Sequence, residues 1–552
     1  MNIDRLFFNG SEECIEFLFK MIKMLYDRID SLDDKTHPIL SGEKVRYNEI
    51  IKENNIEEQS KEIQEVFNEL ATYFQRAVKW EHYGSMINIT PPANLVSVVA
   101  AFYSLLYNPN FAQDESTGYM LATELSVVKM ISSLVNWNSN NSSGIFTFGG
   151  KGTNLYAIKM AINKISINCK SDGVKNENIF VISSEKAHPC HKEVCDWLGI
   201  GIKAHISIPV CEDGRIDMQM LERIVYKNLK EGKKLACIML NGGTTNENLV
   251  DPIKEVCQFR DRIVKEFGLR YEPHIHVDAV IGWAWLFFSK YNFELNRLHM
   301  SDIEKRKIKN MLSRIQEIKY ADSFGADFHK TGFCPYISSL LMVKDKNRLH
   351  NLGKKVDRDF NNMKFGEYSP FEYSLELSRS SIGPIAAYTA LRLFGYEGFQ
   401  ELIYRVFSEG EYIRGFLNKE KEFYVLNNDT EGFATLFIAI PDILTEQTMD
   451  NFVLMKYSDI IQEYNYRLYL FLLESLEYRK ANFKITFSKS FKLFGMKRSI
   501  GALKIYQTSP VANIKMVNKC LKRLKRLKRA FDINKPLMED DINRPIDFVY
   551  RG

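Results

Sequence analysis

Lys330 closes the run Asp327-Phe328-His329-Lys330 and is followed by Gly332, Pro335 and Tyr336, with no further charged residue until Lys344. A lysine among apolar and small residues can be partly desolvated. That lowers its pKa and frees the amine to act as a nucleophile or to form a Schiff base with a carbonyl. Read alone, the same segment is also a turn between two strands. Gly149-Gly150-Lys151-Gly152-Thr153-Asn154 is a glycine-rich turn. Free backbone N–H groups at the positive end of a helix form a natural phosphate cradle there. Its spacing is neither that of a P-loop nor that of the dinucleotide fingerprint, and a plain tight turn is the alternative. Asp278 ends the run His276-Val277-Asp278, where an acid serves either a site or the cap of the next element. His188, Cys190, His191 and Cys195 crowd one stretch, which raises structural zinc. Zinc sites favour paired spacings such as Cys-x2-Cys, so no metal is expected.

An alternation of strand and helix positions these residues. Strands are predicted at residues 145–148, 178–184, 205–210, 235–240, 274–280 and 338–344. Helices are predicted over 155–167, through Cys195 and Leu198, and over 218–229 and 253–267. This is the pattern of a mostly parallel α/β sheet, in which ligands gather at the carboxyl ends of strands. Gly149, His188, Thr244, Asp278 and Lys330 all fall at or beyond such ends, on one rim. Residues 1–82 read as a helical segment, with helices at 11–30 and about 56–79 and a polar loop between them. Residues 83–385 form the large α/β domain, and 386–552 a small α+β domain with strands near 433–439 and 483–487. Its terminal helix carries Val517, Leu521, Leu524 and Leu527 on one face and basic residues on the other.

The composition, 45% hydrophobic and 26% charged over 552 residues, is that of a soluble globular protein rather than a membrane or disordered chain. No apolar run approaches the ~18 residues that span a bilayer, and no secretory signal is visible. Nine scattered cysteines fit reduced thiols in a cytoplasm. The net charge of +5 comes from eight basic residues between Lys515 and Arg529; the rest of the chain is net negative. Nucleic acid is therefore not an expected partner.

Several blocks, in order, resemble the pyridoxal phosphate-dependent group II amino-acid decarboxylases, their bacterial tyrosine and glutamate decarboxylases above all. Asn108-Pro109-Asn110 with Glu115-Ser116 is similar to the family's substrate-pocket entry. His188, set before Leu198-Gly199-Ile200-Gly201, resembles the histidine that stacks on the cofactor ring. His276-Val277-Asp278-Ala279 resembles the strand whose aspartate meets the pyridine nitrogen, and Asp327-Phe328-His329-Lys330 the Schiff-base segment. The resemblance implies a fold type I enzyme that binds pyridoxal 5'-phosphate, decarboxylates an L-amino acid and works as a homodimer.

It also implies roles. Lys330 would form the Schiff base, with His329 against that link or the phosphate and Asp327 beside it. Asp278 would keep the ring nitrogen protonated, while His188 and Val280 cover the two ring faces. Gly149, Gly150, Lys151, Thr153 and Thr244 would hold the phosphate end. In the family a tyrosine on the loop after the lysine returns the proton; Tyr368 is the candidate here, Tyr373 the second, with Phe360 nearer the usual distance. A phenylalanine in that place would point instead to an aldehyde product. Ser378-Arg379 resembles a block near the cofactor of the neighbouring subunit. The chain also departs from the family, since Phe148, Lys151 and Gly152 replace the usual Ser, Thr and acid of the phosphate turn. An aromatic substrate would need an apolar slot, for which Phe102, Tyr103, Trp283 and Trp285 are candidates. A carbon–carbon lyase on the same scaffold and a non-catalytic protein binding through the basic tail are the rival functions.

Overall fold

The computed structural model describes residues 3–44, 46–53, 55–165, 167–174, 177–353, 367–492 and 499–534. Seven strands form the central sheet: β1 (Ser143–Thr147), β2 (Ile179–Ser184), β3 (His205–Ile208), β4 (Lys234–Asn241), β5 (His274–Asp278), β6 (Ser323–Asp327) and β7 (Ser339–Val343). Their order is β1-β7-β6-β5-β4-β2-β3. Only β7 runs antiparallel to its neighbours, β1 and β6. The central strands are apolar without alternation because helices cover both faces; from Leu235 to Asn241, β4 is buried at every position. Register sets the rim: Asn241 pairs with Asp278, and Asp278 with Gly325, so the strand ends lie side by side.

The helices follow local signals. Helix Gly150–Ile165 starts directly after β1 and the Gly149 turn. The charged segment after residue 300 is the helix Asp302–Ile315, started by a capping box in which Ser301 and Glu304 bond each other's backbone N–H. A 37-residue helix, Ile382–Asn418, kinks at Gly395 and joins the large domain to the small one. There β8 (Phe423–Val425), β9 (Ala434–Ala439), β10 (Thr486–Phe491) and β11 (Ile500–Tyr506) form a second sheet in the order β10-β11-β9-β8.

One expectation needs correction. The polar loop between the first two predicted helices contains a helix of its own, Tyr47–Glu53, and the second predicted helix shortens to Ile63–Thr72. The basic terminal helix, Ile514–Asn534, is part of the fold. Val517, Cys520, Leu521, Leu524, Leu527 and Phe531 are buried in the second apolar core. Lys528 pairs with Asp442 at 2.9 Å and with Asp532 at 2.8 Å, and Arg529 with Glu422 at 2.5 Å, so much of its charge is spent inside the domain.

Glu409 sits inside helix Ile382–Asn418, 4% exposed, with Oε2 lacking a partner. Burial pushes its carboxyl from the usual 4.5 up to about 8, against smaller opposing effects of Gln507 and Arg405. A folded-state value above the unfolded one gives stability that is full below the unfolded value and lost as pH rises through the folded one. Melting curves from about pH 5 to about pH 9 should therefore show a falling Tm that is flattened in Glu409→Gln. An identical pH dependence in the two proteins would contradict this.

Candidate active site

At the carboxyl ends of β4, β5 and β6 a cavity of about 790 Å³ opens. Gly150, Lys151, His188, Thr244, Asp278, Val280, Asp327, His329 and Lys330 all line it, so the predicted rim is one site. Gly149, Thr153 and Tyr368 are not in its wall. Gly149 makes the turn with φ +121°. Thr153 faces inward, its hydroxyl donating to the Gly150 carbonyl at 2.7 Å.

Lys330 follows β6 directly, and its side chain is 21% exposed. Nζ lies 2.8 Å from Oδ2 of Asp327, three residues back. Burial lowers the Lys330 pKa, but the charge and hydrogen bond of Asp327, with help from Asp278, outweigh it, and the net shift is upward. The expected depression is therefore corrected: desolvation is real, and the adjacent carboxylates win. Asp327 is held in turn by Ser339, whose hydroxyl donates to Oδ1 at 2.5 Å. His329 is buried, with Nδ1 3.0 Å from the Ser338 carbonyl and its ring 4.0 Å from that of Tyr336.

Asp278 ends β5, 8% exposed. Its Oδ2 accepts from His191 Nε2 at 2.9 Å and from Asn154 Nδ2 at 3.0 Å, while Oδ1 is buried without a partner. Burial raises its pKa, yet the bond from His191 and the charges around it bring the carboxyl well below the usual range. His188 is exposed toward the cavity, its Nδ1 accepting from the Cys190 N–H at 3.2 Å. Lys151 meets Glu193 at 2.6 Å, so its ammonium is paired at the cavity wall. Cys190, His191 and Asp278 bring donor atoms within 4.8 Å of one another, whereas Cys195 turns back to bond the His191 carbonyl. A metal would need the Cys190 thiolate; burial pushes that thiol up to about 12.

Other candidates are displaced. Tyr368 and Tyr373 stand together beside a buried pair in which Arg379 Nη2 meets Glu124 Oε1 at 2.5 Å. Burial pushes the Tyr368 hydroxyl well above its usual pKa. Phe360 lies outside the described residues. Arg379 is anchored in its own chain, its N–H donating to Asn110 Oδ1 at 2.9 Å, which joins the two resembling blocks. Trp283 and Trp285 are fully buried in the core, and neither Phe102 nor Tyr103 lines the cavity. Sequence reasoning missed Asn154, His191 and Tyr336 as site residues, and the small domain's Ser490, Phe491, Lys492 and Ser499 in the cavity wall. Asn154 lies in the glycine turn itself, which was the available signal.

Residues 46–437 match the pyridoxal-dependent decarboxylase conserved domain. The chain belongs to that family. Its cofactor is pyridoxal 5'-phosphate. Among curated relatives, L-2,4-diaminobutyrate decarboxylase of Acinetobacter baumannii is 24% identical over 288 residues, 50% of this chain and 51% of that protein. The human acidic amino acid decarboxylase is 24% identical over 375 residues, 67% of this chain and 66% of its own. The match thus spans about half to two thirds of the length of these curated relatives. The structure of mouse CSAD superposes with a TM-score of 0.77 at 17% identity, covering 94% of this chain and 99% of that one, and shows the shared fold.

The residues present fit the family's cofactor. Asp278 Oδ1 is a buried acceptor without a donor, and leaving such an atom unmatched costs ~1–3 kcal/mol. At Gly150 an added Cβ would lie 3.1 Å from both Asp327 Oδ2 and Val280 Cγ1, so the glycine keeps the cradle open. Crowding of this kind costs ~1–3 kcal/mol. Gly150→Ala is accordingly expected to weaken cofactor binding by about tenfold to a hundredfold. Titration of apoprotein with pyridoxal phosphate checks this, and unchanged affinity would contradict it.

Proposed function

We propose that this chain converts an L-amino acid to the corresponding amine and carbon dioxide through a covalent link between Lys330 and the cofactor. The observation that carries the reading is the convergence of Lys330 Nζ, the free Oδ1 of Asp278 and the His188 ring on one cavity behind the start of helix Gly150–Ile165. When bound, pyridoxal phosphate supplies an electron sink for the pair released as the Cα–carboxylate bond breaks. The N–H groups that open helix Gly150–Ile165 would bind its phosphate, helped by the helix dipole. Asp278 would hold a proton on the ring nitrogen, because an ionised carboxylate beside it stabilises the positive charge. His188 and Val280 would confine the ring and exclude water. Asp327 Oδ2, 2.8 Å from Nζ, orients Lys330 and is the acceptor within reach when that amine must lose its proton. The proton that replaces carbon dioxide comes from a group open to the cavity. Lys330, His188 and Tyr336 are such groups in this chain, and Tyr368 is not.

We further infer a homodimer. Helix Glu12–Asp30 buries none of its residues. Helix Leu95–Leu106 leaves Leu95, Val96, Val99, Tyr103 and Leu105 exposed, and Leu375 and Leu377 are exposed as well. Sedimentation should give twice the chain mass of 64.2 kDa; a monomer at micromolar concentration would refute the dimer.

Two measurements test the activity. Purified holoprotein should carry the visible absorption band of the bound cofactor and release carbon dioxide from at least one member of an amino-acid panel that includes 2,4-diaminobutyrate and acidic amino acids. Lys330→Ala should lose both, with turnover down by several orders of magnitude. A protein that binds the cofactor but releases no carbon dioxide from any substrate, or a Lys330→Ala variant with unchanged turnover, would overturn the reading.

A further inference from the structure

Asp278 is gripped by only one of its two oxygens. His191 and Asn154, from two different helices, both donate to Oδ2, while Oδ1 is buried with no partner among the described residues, on a residue that lines the cavity. His191 is 0% exposed, and its other ring nitrogen, Nδ1, is buried with no partner. A carboxylate can only accept, so Nε2 must carry the hydrogen. A second hydrogen on Nδ1 would be buried without an acceptor, which is costly. The ring is thus a donor at Nε2, aimed at one carboxylate oxygen.

We propose that His191 is a positioning residue for the cofactor's ring nitrogen: with Asn154 it locks the rotation of the Asp278 carboxylate so that Oδ1, and only Oδ1, is presented to that nitrogen. The inference rests on the cofactor-site reading above and goes beyond it by assigning a role to a residue that never touches the cofactor. Two donors on Oδ2 also keep the carboxylate ionised in a place where burial opposes charge. Without His191 the carboxylate could turn or take up a proton, and the hold on the ring nitrogen would weaken. The neighbouring Cys190 sulfur accepts from Asn154 Nδ2 at 3.4 Å.

The test uses the full chain loaded with pyridoxal phosphate labelled with 15N in the ring. In the wild type the ring nitrogen should resonate as a protonated pyridinium. His191→Phe fills the imidazole volume without a donor. Its ring-nitrogen resonance should move toward the unprotonated position, and cofactor affinity should fall by about tenfold or more. His191→Gln, whose amide N–H can reach Oδ2, should restore the protonated resonance and most of the affinity. Where His191→Phe fails to accumulate, His191→Leu is read in the same way. A donor-less variant with a protonated ring nitrogen and wild-type affinity overturns the inference, as does a His191→Gln variant no better than His191→Phe. Zinc bound by the wild type in place of the cofactor overturns it too. A wild type that binds no cofactor sinks the site reading itself, which separates the two failures.

Discussion

Asp278 places an ionised carboxylate, 8% exposed, at the end of a strand in the middle of a parallel sheet. An unpaired charge in such a place would carry a desolvation cost of several kcal/mol. Much of the site is arranged to meet that demand. Helix Gly150–Ile165 brings Asn154 to it, helix Cys190–Trp197 brings His191, and Lys330 adds a positive charge from the end of β6. Asn154 of the glycine turn, His191 and Lys330 therefore meet around one acid. The same acid keeps one oxygen without a partner among the described residues.

The sheet makes this arrangement possible. Parallel pairing of β4, β5 and β6 brings Asn241, Asp278 and Gly325 into one row, with Asp327 and Lys330 just past it. Chemistry-bearing residues far apart in the chain thus arrive on one rim without any loop having to reach. The small domain closes the cavity through Ser490, Phe491, Lys492 and Ser499, and helix Ile382–Asn418 fixes it to the large one.

Lys330, Asp278, His188 and the glycine turn were legible because strand and helix alternation alone puts them at strand ends. The partners of those residues were not. That His191 faces Asp278 across 87 positions, or that Arg379 closes on Glu124 across 255, depends on how helices seat on the sheet. The pKa of Lys330 went the other way because Asp327, only three residues earlier, folds back against it; apolar neighbours in sequence said nothing of that. Trp283 and Trp285 looked like pocket residues by type, but they pack into the core beneath the site. The basic terminal helix was legible as part of the small domain, but its acidic partners Glu420, Glu422 and Asp442, 105, 107 and 86 positions upstream, were not. Helix Tyr47–Glu53 was hidden by a charged, weakly periodic stretch.

The central claim is that one lysine, Lys330, carries the cofactor. Borohydride reduction of the holoprotein, followed by proteolysis and mass spectrometry, tests it most directly. The account predicts a stable cofactor adduct on the peptide containing Lys330 and on no other. An adduct on a different lysine, or none on a protein that visibly holds the cofactor, would contradict it.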